Sequence, residues 1–235
     1  MTVVLLHPVG LDRECWQFAS SPTLGTAVGY DLLWHGDRPK PEQPLTLEAM
    51  ADDLVAHVGG MLDLVGVSMG GAVARYVALR HPGRVRSMML CASGAGGNGI
   101  EQRERADAVL EHGIDGVMKR TLARWFTPEA LAQPGHPAVA YVRGRLQRDT
   151  PEQFAAGWLA LGANRSFEHL GEIAAPTSVV HPERDNSSLA SKQSIADRLQ
   201  VARLEVIPGP HMVQLEEPEA FADAVEAHFA WVAGR

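Results

Sequence analysis

The stretch that most constrains how this chain can fold is Leu64-Val65-Gly66-Val67-Ser68-Met69-Gly70-Gly71. A short apolar run ends in Gly-x-Ser-x-Gly, and a helix-like segment follows, from Gly70 to about Arg80. The pattern reads as strand, sharp turn and helix, with a serine at the apex. Such a turn forces the serine into a sparsely populated backbone conformation and lifts its hydroxyl clear of the sheet. Gly66 and Gly70, two residues to either side, let strand and helix approach closely. The pentapeptide alone arises by chance in a Gly-rich chain, and this one has 23 glycines. The flanking strand and helix argue against chance, and so do the loops further along.

The rest of the chain alternates between the two element types. Continuous apolar runs at Thr2–Leu6, Ala27–Leu33, Asp63–Val67, Ser87–Ala92, Thr177–Val180 and Leu204–Ile207 read as buried parallel strands. Helical spacing links Leu47, Met50, Leu54 and Val58, with Thr46 as the cap. Ser191–Leu199 and Pro218–Val232 read as further helices. From about Gly94 the alternation breaks down, and Ile100 to Leu170 reads as helices punctuated by prolines. Strands alternating with helices predict a parallel sheet with helices on both faces. Residues 1–96 and 171–235 are expected to form this core, with 97–170 inserted as a helical cap over the carboxyl ends of the strands. Ligands bind at that end in open α/β sheets.

A serine hydroxyl needs a neighbouring base, and the base needs an acid to orient it. The fifth strand is followed by His181-Pro182-Glu183-Arg184-Asp185 and the sixth by Gly209-Pro210-His211-Met212. Ser68, Asp185 and His211 thus fall in the order nucleophile, acid, base, each after a strand. Glu183 is the rival acid, and its loop position places it behind Asp185. The oxyanion hole needs two backbone N–H groups. Met69, after the nucleophile, supplies one, and Val9, in the loop after the first strand, is the expected second.

On these residues the chain resembles the α/β-hydrolase family over nearly its whole length, and within it the 3-oxoadipate enol-lactonases. The resemblance rests on Leu5-Leu6-His7, Gly66-Val67-Ser68-Met69-Gly70-Gly71, the segment from Val117 to Pro128 and the ending from Pro208 to Phe221. It implies a serine hydrolase that cleaves a small ester or lactone through an acyl-enzyme, without cofactor or metal. The same triad also serves C–C bond hydrolysis of a β-diketone, or perhydrolysis. A lactone-sensing receptor with little turnover is the reading from another class. The chain departs from the family at Pro8, which has no N–H to donate, and at Trp34, where a glycine is usual. It also begins at what is usually the third strand, which predicts a shortened, all-parallel sheet of about six strands. Trp34, Trp125 and Trp158 are candidate pocket residues. Arg124 is the candidate to hold a substrate carboxylate.

The totals limit the partners. A net charge of −7 over 235 residues argues against nucleic acid or an anionic membrane. No apolar run has the length of a membrane span, and the N-terminus lacks a signal-peptide pattern. A cytoplasmic protein acting on a small molecule is expected, with Cys15 and Cys91 unpaired. Gly94-Ala95-Gly96-Gly97-Asn98-Gly99 matches a dinucleotide-binding fingerprint literally, but Glu101 to His112 leads to no strand. A flexible entry to the cap explains these glycines better.

Overall fold

A computed structural model describes residues 1–96 and 99–235. Gly97 and Asn98, within the glycine-rich stretch, lie outside the described residues. Six strands form one sheet: β1 (Thr2–Leu6), β2 (Val28–Tyr30), β3 (Leu62–Val67), β4 (Val85–Cys91), β5 (Thr177–Arg184) and β6 (Ala202–Pro210). Their order is β2-β1-β3-β4-β5-β6, and every pairing is parallel. From β1 the chain first moves outward to β2 and then returns to β3 on the other side. That reversal opens a crevice between the carboxyl ends of β1 and β3, the position where such sheets bind ligands.

The buried strands are apolar on both faces because helices cover both. On one side α1 (Leu47–His57) packs on α2 (Met69–Arg80), which lies against β3 and β4, and α7 (Leu189–Arg198) lies on β5. Thr46 caps α1 by accepting from the Ala49 N–H at 3.0 Å, as its position predicts. The closing helix α9 (Pro218–Ala233) packs on β4 and β6, and the short α8 (Val213–Glu216) precedes it. Phe221 of α9 stacks on Trp16 with ring centroids 5.9 Å apart.

Two strands differ from their sequence reading. β2 keeps only Val28–Tyr30 of the expected run, because the Asp31 carboxylate accepts from the Arg13 N–H at 2.6 Å and the chain then turns. β5 runs past Val180 to Arg184, since β6 continues to pair with it after β4 has ended, with a bulge between Pro182 and Arg184. A proline is tolerated there because one side of the strand has no neighbour to bond.

Between β4 and β5 the chain forms α3 (Ile100–Trp125), α4 (Pro128–Ala132), α5 (Pro137–Leu146) and α6 (Pro151–Gly162), with a 3₁₀ stretch at Ser166–Glu172. α3 is broken at Gly113, whose φ is 68°, and it packs along α6. The start of α3 and the end of α6 abut. Gly99 has φ +76°, and a Cβ there would lie 2.6 Å from the Gly162 carbonyl oxygen. Polar contacts tie the insertion to the sheet. Arg145 on α5 meets Asp12 at 2.7 Å and Asp149 at 2.8 Å, with all three side chains buried. Tyr141 donates to the same Asp12 at 2.7 Å. Among the described residues no helix is long and apolar enough to cross a membrane. Cys15 and Cys91 are both buried free thiols.

Candidate active site

β3 ends at Val67, and Ser68 takes φ 54° and ψ −112° before α2 begins. A non-glycine residue there stores on the order of 1–3 kcal/mol of strain, held in place because the Ser68 N–H donates to the Cys91 carbonyl at 2.9 Å. The neighbouring glycines are required by contact. A Cβ on Gly66 would lie 2.4 Å from the Gly70 backbone, and one on Gly70 would lie 1.9 Å from the Leu6 carbonyl oxygen. No side chain fits between strand and helix, so the serine turn can be this sharp only with glycine at both positions.

Three strand-end loops converge on the Ser68 hydroxyl. His211 follows β6 directly, and its Nε2 lies 3.0 Å from Ser68 Oγ. Its Nδ1 lies 2.7 Å from Asp185 Oδ1, at the end of β5. With the Nδ1 proton donated to the carboxylate, Nε2 is free to accept from the serine. The Asp185 side chain has no exposed surface. Burial by itself would raise its pKa. The hydrogen bond and charge of His211, the Lys192 ammonium and the Ser187 hydroxyl outweigh burial and hold it well below the usual carboxylate range. Lys192, itself fully buried on α7, lies 3.2 Å from Asp185 Oδ2, and Ser187 donates to the same oxygen at 2.6 Å. Glu183, the rival acid, is an exposed residue of β5.

Val9 and Met69 sit where the two oxyanion donors are expected. Met69 is the first residue of α2, and such an N–H has no acceptor within its own helix. Val9 lies in the loop after β1, and that loop is pinned from below by His7. The His7 Nδ1–H donates to the Pro8 carbonyl at 2.8 Å, and Nε2 accepts from the Leu32 N–H at 3.0 Å. Burial pushes the His7 pKa down to about 4, in keeping with a neutral ring that uses one nitrogen as donor and one as acceptor.

A cleft of about 340 Å³ opens over Ser68 and His211. Of the four pocket candidates from the sequence, only Trp158 lines it. Trp125 is 1% exposed and packs edge-on against Phe154 in the core. Trp34 lies outside the cleft, with its ring beneath the Lys40 ammonium and its carbonyl accepting from Gln153. Arg124 is not among the cleft's lining residues but lines an adjoining cavity of about 20 Å³ that shares Arg105 and Trp158 with it, and its carbonyl accepts from Asn186. Sequence reasoning missed two cleft arginines. Arg105 lies over the Trp158 ring at 4.8 Å and pairs with Glu101 at 2.7 Å. Arg75, on α2, is fully buried. Arg75 had a signal in the sequence: it is the one charged residue of α2 before Arg80, inside a run buried from Met69 to Ala78.

A strained serine after a central parallel strand, with histidine and aspartate from the last two strand ends, is the layout of an α/β-hydrolase. A profile described as the Alpha/beta hydrolase family matches residues 3–224. The chain belongs to that family. It is similar to 3-oxoadipate enol-lactonase 2 of Acinetobacter baylyi, at 26% identity over 233 residues, spanning 96% of this chain and 87% of that protein. Among solved structures it is similar to a malate-bound thermophilic esterase from Thermogutta terrifontis, with a TM-score of 0.87 at 25% identity, covering 99% of this chain and 90% of that one. The enol-lactonase of Burkholderia xenovorans LB400 shares the fold, with a TM-score of 0.88 at 23% identity over 97% of this chain and 90% of that one.

Proposed function

We propose that this protein hydrolyses small carboxylic esters or lactones through an acyl-enzyme on Ser68, and that an enol-lactone is its finer substrate type. The observation that carries this reading is the unbroken chain from Ser68 Oγ to His211 at 3.0 Å and from His211 to Asp185 at 2.7 Å. The enol-lactonase relative supports the lactone side, and the esterase structure supports the ester side.

Ser68 Oγ attacks the carbonyl carbon while its proton passes to His211 Nε2. The N–H groups of Val9 and Met69 take up the charge on the tetrahedral oxygen. A single donor of this kind is typically worth about 3 kcal/mol in the transition state. The intermediate collapses, the bond to the leaving oxygen breaks, and His211 returns the proton to it. Water then attacks the acyl-enzyme, with His211 as base, and frees the acid and Ser68. Asp185 holds the imidazole in one tautomer throughout. Residues 97–170 act as the cap, and Trp158 from this segment forms one wall of the cleft.

A fluorophosphonate should label Ser68 stoichiometrically, and p-nitrophenyl acetate and a simple lactone should be turned over. Ser68→Ala should lose turnover by a factor on the order of 10³ or more while keeping its circular dichroism. Near-wild-type turnover in that variant would sink the mechanism.

A further inference from the structure

Among the described residues, one cation of the cleft has no counter-charge. Arg75 is 0% exposed and lines the cleft that contains Ser68 and His211. Its Nη2 donates to the Gly94 carbonyl at 2.8 Å. Its Nε and Nη1 are buried and have no hydrogen-bond partner among the described residues. No carboxylate there pairs with it either, whereas Arg105 across the cleft is paired with Glu101. Burial pulls the Arg75 pKa down to about 10, so the group is still charged at neutral pH. A buried ion is ordinarily paired, because leaving water unpaired is costly. Holding the Gly94 carbonyl accounts for one nitrogen of three. A methionine would fill the same space without the penalty.

The helix geometry gives the charge a direction. Ser68, Ala72 and Arg75 all line the cleft, and their spacing of four and seven residues places them on one face of α2. Helical side chains lean toward the N-terminus, which is the serine's end of α2, and Arg75 reaches the Gly94 loop that lines the same cleft.

We infer that Arg75 is the anion-binding residue of the cleft and that the substrate carries a carboxylate, a short aliphatic spacer away from the carbonyl that Ser68 attacks. A half-ester of a dicarboxylic acid, or a lactone with a carboxylate side chain, has that chemistry. The carboxylate completes the guanidinium's hydrogen bonds and supplies a counter-ion that none of the described residues provides. Arg105 and Trp158 close the cleft from the insertion, and Arg124 takes no part. The inference rests on the ester and lactone reading above for the role of the site, but the anion subsite can be tested without turnover.

Two measurements separate the claims. Monoethyl glutarate and ethyl butyrate present esters of similar size, with and without the charge. Wild type should favour the charged ester in kcat/KM, and Arg75→Met should cut that preference roughly 10- to 100-fold, with Arg75→Lys in between. Independently, glutarate should raise the melting temperature of Ser68→Ala and should fail to raise that of Ser68→Ala/Arg75→Met. A preference that survives Arg75→Met, or glutarate stabilisation that survives it, overturns the subsite. Stabilisation by inorganic phosphate as strong as by glutarate also overturns it, since the site would then be a general anion site. If Arg75→Met does not give a cooperative melt, Arg75→Gln takes its place in both measurements. If wild type cleaves neither ester and behaves as Ser68→Ala does, the hydrolase reading fails, and glutarate binding still decides the subsite.

Discussion

The strand-end loops and the helical insertion are built on different physical terms. In the loops, backbone geometry does the placing. Ser68 is fixed by a turn that two glycines make possible, and His211 and Asp185 follow the last residues of their strands by one position. In the insertion, placing depends on side chains meeting across elements. Arg145 and Tyr141 of α5 meet Asp12, and Asp149, just beyond α5, pairs with Arg145. Trp158 lines the cleft together with Arg105 of α3, whose guanidinium lies over its ring. The first kind of placement leaves a short local signature, and the second leaves almost none.

The comparison can be pressed at three points. The largest effect is expected in the loops. Asp185→Asn should lower kcat by roughly 10³- to 10⁴-fold through loss of the productive tautomer, while Glu183→Gln stays within about twofold on the same scale. The reverse result, read in ester kinetics, would reassign the acid.

The seam between the regions should respond less, and in stability. Asp12→Ala leaves Arg145 with Asp149 alone and strips Tyr141 of its acceptor. A broken buried pair costs about 3 kcal/mol at the low end of its range, and urea unfolding would read it. A loss under about 0.5 kcal/mol would mean that the insertion docks by its apolar contacts alone.

The smallest effect is expected in pH dependence at the same seam. His7 and His35 lie 5.1 Å apart, and α6 packs against His35, where a Cβ on Gly157 would lie 3.5 Å from Nε2. Burial holds their pKa values down to about 4 and about 3, from 6.5. Unfolding therefore takes up protons over this range. The stability these rings contribute is complete above about pH 6.5 and is lost as the pH falls through about 4 and 3, at about 1.4 kcal/mol per pH unit for each proton. His35→Gln should flatten that slope by close to one proton in urea melts between pH 7 and pH 4.5. An unchanged slope would place the acid sensitivity elsewhere.

The same division explains what could be read in advance. Six parallel strands followed from periodicity, and Ser68, Asp185 and His211, which the structure brings within hydrogen-bond distance, were picked out as residues at strand ends. The end of β5 was misjudged because His181-Pro182 looks like a loop until β6 is there to pair with it. The cleft wall was misjudged because tryptophans and arginines in a helical segment carry no sign of which face they present. Trp125 fills the core where Trp158 lines the cleft, and Arg124 lines a small cavity beside it. The readable clue was a charge in the wrong place: Arg75, alone in the apolar half of α2, is costly to bury and so points to something that balances it.

The contact between Gly99 and Gly162 also closes the chain segment from α3 to α6, whose two ends are already together. In polymer terms its closure entropy depends only on the logarithm of its length, so that halving or doubling it changes the cost by about 0.6 kcal/mol. Segments of very different length could be grafted between those two glycines with little penalty to the sheet. Each would meet a Ser68 whose geometry is set elsewhere, by β3 and its two glycines.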